Sequence, residues 1–595
     1  MIRNEWIGLA LTIVMLGFAW DAGVRAAETD ADGKFNEIVD HFIDRFPAFS
    51  PVGATALGDH RFDGELDQVS AESRRRKADF CRELLQPLER VDPDKLSRAN
   101  QVDRSILRNH LRASIWEIES LEEWAFNPLL YTQLAGNAVY SLMARDFAPL
   151  ESRLAHVAAR LEQYPRFFEQ VRHTLCPERV PRVHAETAVA QNRGISSILD
   201  ELVTPQLNQL PTEQRERLQR AIETARAALA VQQRWLETDL VPNAGGSWRL
   251  GRELYDQKLA FTLDTPLTRQ EIRQRAEQQV RSLRDAMYEI SQGLYRQRYP
   301  LTAFPETPSE AYRQALIRSC LEIAYQETSA PESIVEDARR SLQLTTEFVR
   351  KEDLLTLPAD PVEIVVMPEF QRGVSLAYCD SPGPLDRGLK TFYAVAPPPS
   401  DWSQEQVQSL LREYNRRSLH NLTIHEAMPG HFVQLALANR CPQRLRAILS
   451  SGVFVEGWAV YTEQMMVQQG FLDDDPLMKL IVMKWYLRDA SNAILDQAVH
   501  VDGIGEPEAM RMLVETAFQE EREAAGKWTR ARLTSAQLST YFVGYLELID
   551  LRREAERVGG RNFDLKRFHD RVLSFGSPPP RFIRALLLGE AIPDR

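Results

Sequence analysis

Residues 421–437 read Asn421-Leu-Thr-Ile-His425-Glu426-Ala-Met-Pro429-Gly430-His431-Phe432-Val-Gln-Leu-Ala-Leu437. A His-Glu pair is followed, six residues after its His, by a second His. In the ordinary His-Glu-x-x-His pattern the histidines lie about 40° apart around a helix, so both imidazoles meet one metal while the Glu reaches its water. Six residues at about 100° each put His431 about 240° from His425, on the wrong side of a continuous helix. Pro429 lacks the N–H that would bond back to residue 425 and clashes with that carbonyl, and Gly430 tolerates a distorted backbone. The segment is therefore expected to bulge and bring His431 back. The i+7 position, which an undistorted helix would favour, is Phe432 and cannot bind metal.

Working outward, Glu456 follows His431 by 25 residues in Glu456-Gly457-Trp458-Ala459-Val460-Tyr461-Thr462-Glu463. Its carboxylate would complete a His425/His431/Glu456 set with a fourth position open for water, the pattern of a catalytic zinc. Two imidazoles and one carboxylate favour zinc, and cobalt or manganese could be accommodated. Glu463, seven residues on and on the same helical face, is placed to accept from a ligand imidazole; the alternative is a surface carboxylate.

These motifs together resemble a large bacterial family of zinc carboxypeptidase candidates catalogued as a domain of unknown function, whose signature is His-Glu-Ala-x-Pro-Gly-His followed by Glu-Gly-Trp-Ala. The likeness extends over nearly all of the chain, from Pro51-Val-Gly-Ala-Thr-Ala-Leu-Gly58-Asp-His60-Arg-Phe-Asp63 to Phe568-His569-Asp570 and Gly576. That family is similar in architecture to the angiotensin-converting-enzyme and oligopeptidase-like gluzincins. The resemblance implies a mainly α, two-lobed helical metallopeptidase with a deep channel, and makes Glu456 the third metal ligand. Many members carry a further His after Pro-Gly-His; here it is Phe432.

Arg488, Asp496, His500 and Gly503 match the family's Asp-x-x-x-His-x-x-Gly pattern and an Arg ahead of it. Four-residue spacing puts Asp496 and His500 on one helical face, where the Asp could orient the imidazole. His500 is then expected to donate to the substrate carbonyl or carboxylate, the alternative being a buried ion-pair strut. The stretch Gln537-Leu-Ser-Thr-Tyr541-Phe-Val-Gly-Tyr545 also matches and implies a tyrosine near the scissile carbonyl. A phenol reaches far and stays protonated at neutral pH, so it suits an oxyanion. Tyr541 is the first choice and Tyr545, one turn on, the rival; a place in the core is the alternative for both. Arg372, Tyr378, Arg387 and Lys390 are candidate channel-lining residues, with a solvated basic edge favoured for Arg387 and Lys390.

The rest of the chain is an ordinary globular sequence. Its 595 residues are 44% hydrophobic and 26% charged, which excludes disordered and collagen-like classes. Apolar residues such as Leu107, Leu111, Ile115 and Ile118, or Leu154, Val157, Leu161 and Tyr164, recur at three- and four-residue spacing, so residues 28–360 read as an N-terminal helical lobe. Alternation at Val362, Ile364 and Val366, then β-rich runs at Val374–Tyr378 and Thr391–Val395 about a Ser-Pro-Gly-Pro turn, predict a small sheet or hairpin insert over 361–400 that lines the cleft. A Val407, Leu410, Leu411, Tyr414 stripe restores the helical pattern, and 401–595 is expected to form the C-terminal catalytic lobe of one integrated unit.

A net charge of −12 has the wrong sign for a phosphate-backbone binder, so no nucleic-acid partner is expected. Five dispersed cysteines without a Cys-x-x-Cys pair form neither a disulfide framework nor a thiolate metal site. Arg3, an apolar run from Ile7 to Trp20 and Val24-Arg25-Ala26 read as a secretory signal cut after Ala26, with a periplasmic or secreted product. The run falls short of the ~20 residues of a spanning helix; an uncleaved anchor is the alternative, and no stable membrane insertion is expected after the cut. The absence of a cysteine near the cut argues against a lipoprotein.

The expected chemistry is hydrolysis of peptide bonds in short peptides, carboxypeptidase- or dipeptidase-like, with one zinc per chain and Glu426 as the general base. The alternatives are a catalytically inactive helical protein that captures peptides, and a zinc amidase or esterase acting on a non-peptide substrate. No Gly-x-Ser-x-Gly, Walker or strand-borne Gly-x-Gly-x-x-Gly sequence supports other enzyme classes.

Overall fold

A computed structural model describes residues 30–367, 376–399 and 402–594. The signal-like stretch 1–26 and Arg372 lie outside the described residues. The chain is mainly α-helical with one small sheet. The helices that carry or brace the candidate site are α1 (Pro51–Ala56), α2 (Leu129–Met143), α3 (Gly251–Leu263), α4 (Arg269–Arg298), α5 (Ile334–Lys351), α6 (Arg416–Glu426), α7 (His431–Ala438), α8 (Gly452–Gln468), α9 (Pro476–Gln497), α10 (Glu521–Leu533), α11 (Ser539–Gly559) and α12 (Leu565–Ser574).

Local chemistry sets where these helices begin. Asn415 accepts from the amides of Arg417 and Ser418 at the start of α6, Ser451 from Phe454 at α8, and Asp475 from Leu477 at α9 just ahead of Pro476. A capping box of Thr268 and Glu271 starts α4. Helices α8 and α9 lack a polar face: nearly every residue of Asp489–Gln497 is buried, because other helices pack on them from several sides.

Three strands, β1 (Val362–Val366), β2 (Ala377–Asp380) and β3 (Thr391–Val395), form a sheet in the order β1-β3-β2. The insert is thus more than a hairpin. β2 runs antiparallel to β3, pairing Ala377 with Val395, while β1 lies parallel to β3 on its other side, pairing Val362 with Thr391. Among the described residues β2 is an edge strand.

Two large apolar cores organise the chain. One gathers residues between Val52 and Leu240; the other runs from Tyr255 through Val349 and the sheet to Ile583. Helices α3, α4 and α5 therefore share a core with the C-terminal helices, α4 lying along α9. A smaller cluster joins helices near the N-terminus, including Phe42 and Leu111, to Leu445.

Candidate metal centre

Helix α6 ends at Glu426 and α7 begins at His431, so the expected bulge is a complete interruption of the helix. Ala427 and Met428 both direct their amides to Thr423 O, and Gly430 N–H bonds to Ile424 O at 2.9 Å. A Cβ at Gly430 would lie 1.9 Å from His425 O and 2.3 Å from Ile424 O, so only glycine lets the chain fold back this tightly. The Trp458 indole, 0% exposed, donates to Pro429 O at 3.0 Å and ties the break to α8. Phe432 points into the main core, away from any ligand role.

The break brings both imidazoles to Glu456. Glu456 Oε2 lies 3.5 Å from His425 Nε2 and 3.5 Å from His431 Nε2, and one ligand atom from each of the three residues lies within 4.8 Å of the others. Zinc–ligand bonds of about 2.0–2.2 Å around a tetrahedral ion imply ligand-to-ligand edges of about 3.4 Å, so these spacings fit one ion. Glu456 Oε2 is buried and has no hydrogen-bond partner, as expected of an atom reserved for a cation.

Two carboxylates flank the imidazoles. Glu463, one side of α8 with Glu456, accepts from His425 Nδ1 at 2.6 Å and from Asn421 Nδ2 at 2.6 Å. A carboxylate accepts only, so His425 donates from Nδ1 and turns Nε2 toward Glu456. Burial disfavours a charged His425, yet Glu456 and Glu463 outweigh it and raise its pKa well above the usual histidine range. Burial would also raise Glu456, but the two imidazoles 3.5 Å from its Oε2 hold it well below the ordinary carboxylate range. Glu426 is buried beside them, and burial raises its pKa despite both histidines; the Cys379 amide of β2 donates to it.

Helices α8 and α11 make this meeting possible by touching backbone to backbone. A Cβ on Gly457 would sit 2.4 Å from the carbonyl carbon of Gly544, and one on Gly544 2.0 Å from Val453 O. That close crossing sets Tyr541 against His425, the two rings stacked with centroids 6.3 Å apart. Arg530 Nη2 donates to the Tyr541 hydroxyl at 3.0 Å, which leaves the phenolic proton free to be donated elsewhere. Burial and the charge of Glu456 raise the Tyr541 pKa.

Other expected residues lie elsewhere. Tyr545 is buried in the core with its ring 4.3 Å from that of Tyr486, so one turn of α11 carries it past the site. Tyr378 faces away because a strand alternates its side chains: Cys379 and Tyr393 face α6, where the Tyr393 hydroxyl meets Thr423 Oγ1, whereas Tyr378 packs beside Asp380 and Tyr140 of α2. Lys390 pairs with Glu363 on the surface, and Arg387 binds carbonyls of its own turn.

His500 serves the scaffold. Its Nε2 donates to the carbonyls of Ala531 and Thr534 at the end of α10, and its ring stacks on Tyr255 of α3. Asp496 does not hold that imidazole; it accepts from the Ala536 amide and the Ser539 hydroxyl at the start of α11. The pair thus clamps the turn joining Arg530's helix to Tyr541's. Sequence reasoning misses Asn421, although it lies one turn before His425 on the same face, and Arg530, which no local pattern connects to Tyr541.

The profile of a family described as "Bacterial protein of unknown function (DUF885)" matches residues 51–587. The chain belongs to that family. A solved structure, that of a candidate lipoprotein of unknown function from Shewanella oneidensis, is 31% identical with a TM-score of 0.77, covering 93% of this chain and 99% of that one. A candidate lipoprotein from Colwellia psychrerythraea shares the fold at 18% identity, TM-score 0.75, covering 94% and 99%. A search of curated proteins finds no match. The ends of the DUF885 match are built into the scaffold: His60 bonds Asp63 and Asp386, and His569 bonds Tyr461 and Leu354 O.

Proposed function

We propose that this DUF885 protein is a metal-dependent peptidase of the gluzincin kind, acting on short peptides outside the cytoplasm. The convergence of His425 Nε2, His431 Nε2 and Glu456 Oε2, with Glu426 buried beside them, carries this reading. A zinc ion held by those three residues would supply Lewis acidity toward a carbonyl and lower the pKa of water.

The chain's own groups supply the rest. Glu426, buried beside the two imidazoles, takes a proton from the attacking water and passes it to the amine as the C–N bond breaks, giving a carboxylic acid and a free amine. Tyr541, its oxygen held by Arg530, donates its proton to the carbonyl oxygen as negative charge grows there, worth about 3 kcal/mol for a donor of this type. Edge strand β2, whose Cys379 amide already reaches Glu426, offers main-chain groups for an extended peptide to pair with. Export is supported by the signal-like residues 1–26 and by neighbours described as lipoproteins. Among the described residues no helix is long and apolar enough to cross a membrane.

Elemental analysis of protein lacking residues 1–26 tests the centre directly. Near one zinc per chain is expected in wild type, with large losses in His431→Ala and Glu456→Ala. Glu426→Gln should keep its zinc and lose peptide hydrolysis by about 10²–10⁴-fold. Absence of zinc after reconstitution at neutral pH, or full activity in Glu426→Gln, would overturn the proposal.

A further inference from the structure

Beside the candidate metal centre lies a second group of charges from two helices. Glu523, Lys527 and Arg530 recur at four- and three-residue steps along α10, and Arg488 and Asp489 of α9 meet them. Three cations share two carboxylates, leaving one net positive charge.

The cations are under-satisfied. Glu523 Oε1 lies 3.7 Å from Arg488 Nη1 and 3.9 Å from Lys527 Nζ, both beyond hydrogen-bond range. Lys527 is 8% exposed and has no hydrogen-bond acceptor among the described residues, and Arg488 Nε is buried without one. Burial, reinforced by Arg488 and Arg530, lowers the Lys527 pKa to about 7, and burial raises Asp489 to about 7. The neighbouring Lys484–Glu413 pair, by contrast, is closed on itself at 2.8 Å. Buried donors of this kind are costly unless an anion completes them.

The group adjoins the site. Arg530 Nη2 touches the Tyr541 hydroxyl, Tyr541 stacks on His425, and Asp489 feels the charges of both Lys527 and His425. A single excess positive charge suits a monoanion better than a phosphate dianion, and an Arg fork beside an ammonium suits a carboxylate.

We infer that Lys527 and Arg488, with Arg530 beside them, bind the free α-carboxylate of a peptide whose terminal bond lies at the His425–His431–Glu456 group, so that cleavage proceeds from the C-terminus. This rests on the peptidase reading.

The test uses the zinc-loaded Glu426→Gln protein and a pool of N-acetylated tetrapeptides, prepared once as C-terminal acids and once as amides. Affinity selection with mass spectrometry is expected to retain acids at least about 30-fold better than the matching amides, the size of a hydrogen-bonded charge contact. Adding Lys527→Met or Arg488→Met should each erase that preference while leaving amide retention and zinc content unchanged, and Lys527→Arg should preserve it. Equal retention of acids and amides, retention of neither, or equal weakening of both in the Met variants would overturn the carboxylate site. Turnover of the same pools by the wild-type protein separates the two ideas. Cleavage of acids and amides alike removes the carboxylate site and keeps the peptidase. Acid-selective retention without cleavage keeps the carboxylate site and removes the peptidase.

Discussion

His425 Nδ1 and Glu463 Oε1 are 2.6 Å apart, and Glu463 is itself held by Asn421. This fixes which nitrogen of His425 faces Glu456. Glu463→Gln, which can present an amide donor instead of an acceptor, should weaken zinc affinity about 10–100-fold with the fold retained. Chelator competition on the purified variant measures this; an unchanged affinity would remove Glu463 from the centre.

Metal uptake should release protons. In the metal-free protein Glu456 and Glu463 keep His425 protonated well above the ordinary histidine range, against the effect of burial. Zinc must displace that proton, so apparent affinity should rise as pH rises through the neutral range. Calorimetry in buffers of different ionisation enthalpy counts the protons; a pH-independent affinity would contradict the arrangement.

The α8–α11 crossing should tolerate no side chain. Gly457→Ala places a methyl 2.4 Å from Gly544 backbone, with no flexible side chain to give way, and should cost about 3 kcal/mol and lower zinc affinity through Glu456. Gly526→Ala on α10, with nothing within 4 Å of its Cβ, should instead be neutral or stabilise by about 0.5 kcal/mol. Denaturant melts of the two variants make the comparison.

His60 makes stability depend on pH. Burial opposes its protonation, but hydrogen bonds to Asp386 and Asp63 win and raise its pKa to about 9. Because the folded value exceeds the unfolded one, this contribution is fully present below pH about 6.5 and is lost as pH rises through about 9. The side chain is 30% exposed, so solvent screening limits the effect to about 1 kcal/mol. In His60→Gln the fall in stability from pH 6.5 to 9 should shrink by that amount in urea titrations.

Helical periodicity, the alternation at Val362–Val366, and the Pro429-Gly430 break between two histidines were all readable without coordinates, because each depends on neighbours in sequence. Even there the degree differed: the expected bulge at 427–430 is a full stop between α6 and α7, since Gly430 folds back onto Ile424 O. Asp496 and His500 shared a helical face as expected, yet each turned to the backbone between α10 and α11, and a four-residue spacing says nothing about what packs opposite.

By itself the sequence determined that this chain is helical, where one helix must break, and which His and Glu residues could serve as one donor set. Only the tertiary structure decided that Tyr541 rather than Tyr545 stacks on His425, that Arg530 holds its hydroxyl, and that Lys527 and Arg488 stand under-satisfied nearby. Those choices follow from how helices cross, above all the contact of Gly457 with Gly544. Crossings are set by packing between faces 87 residues apart in the chain, which no local period encodes.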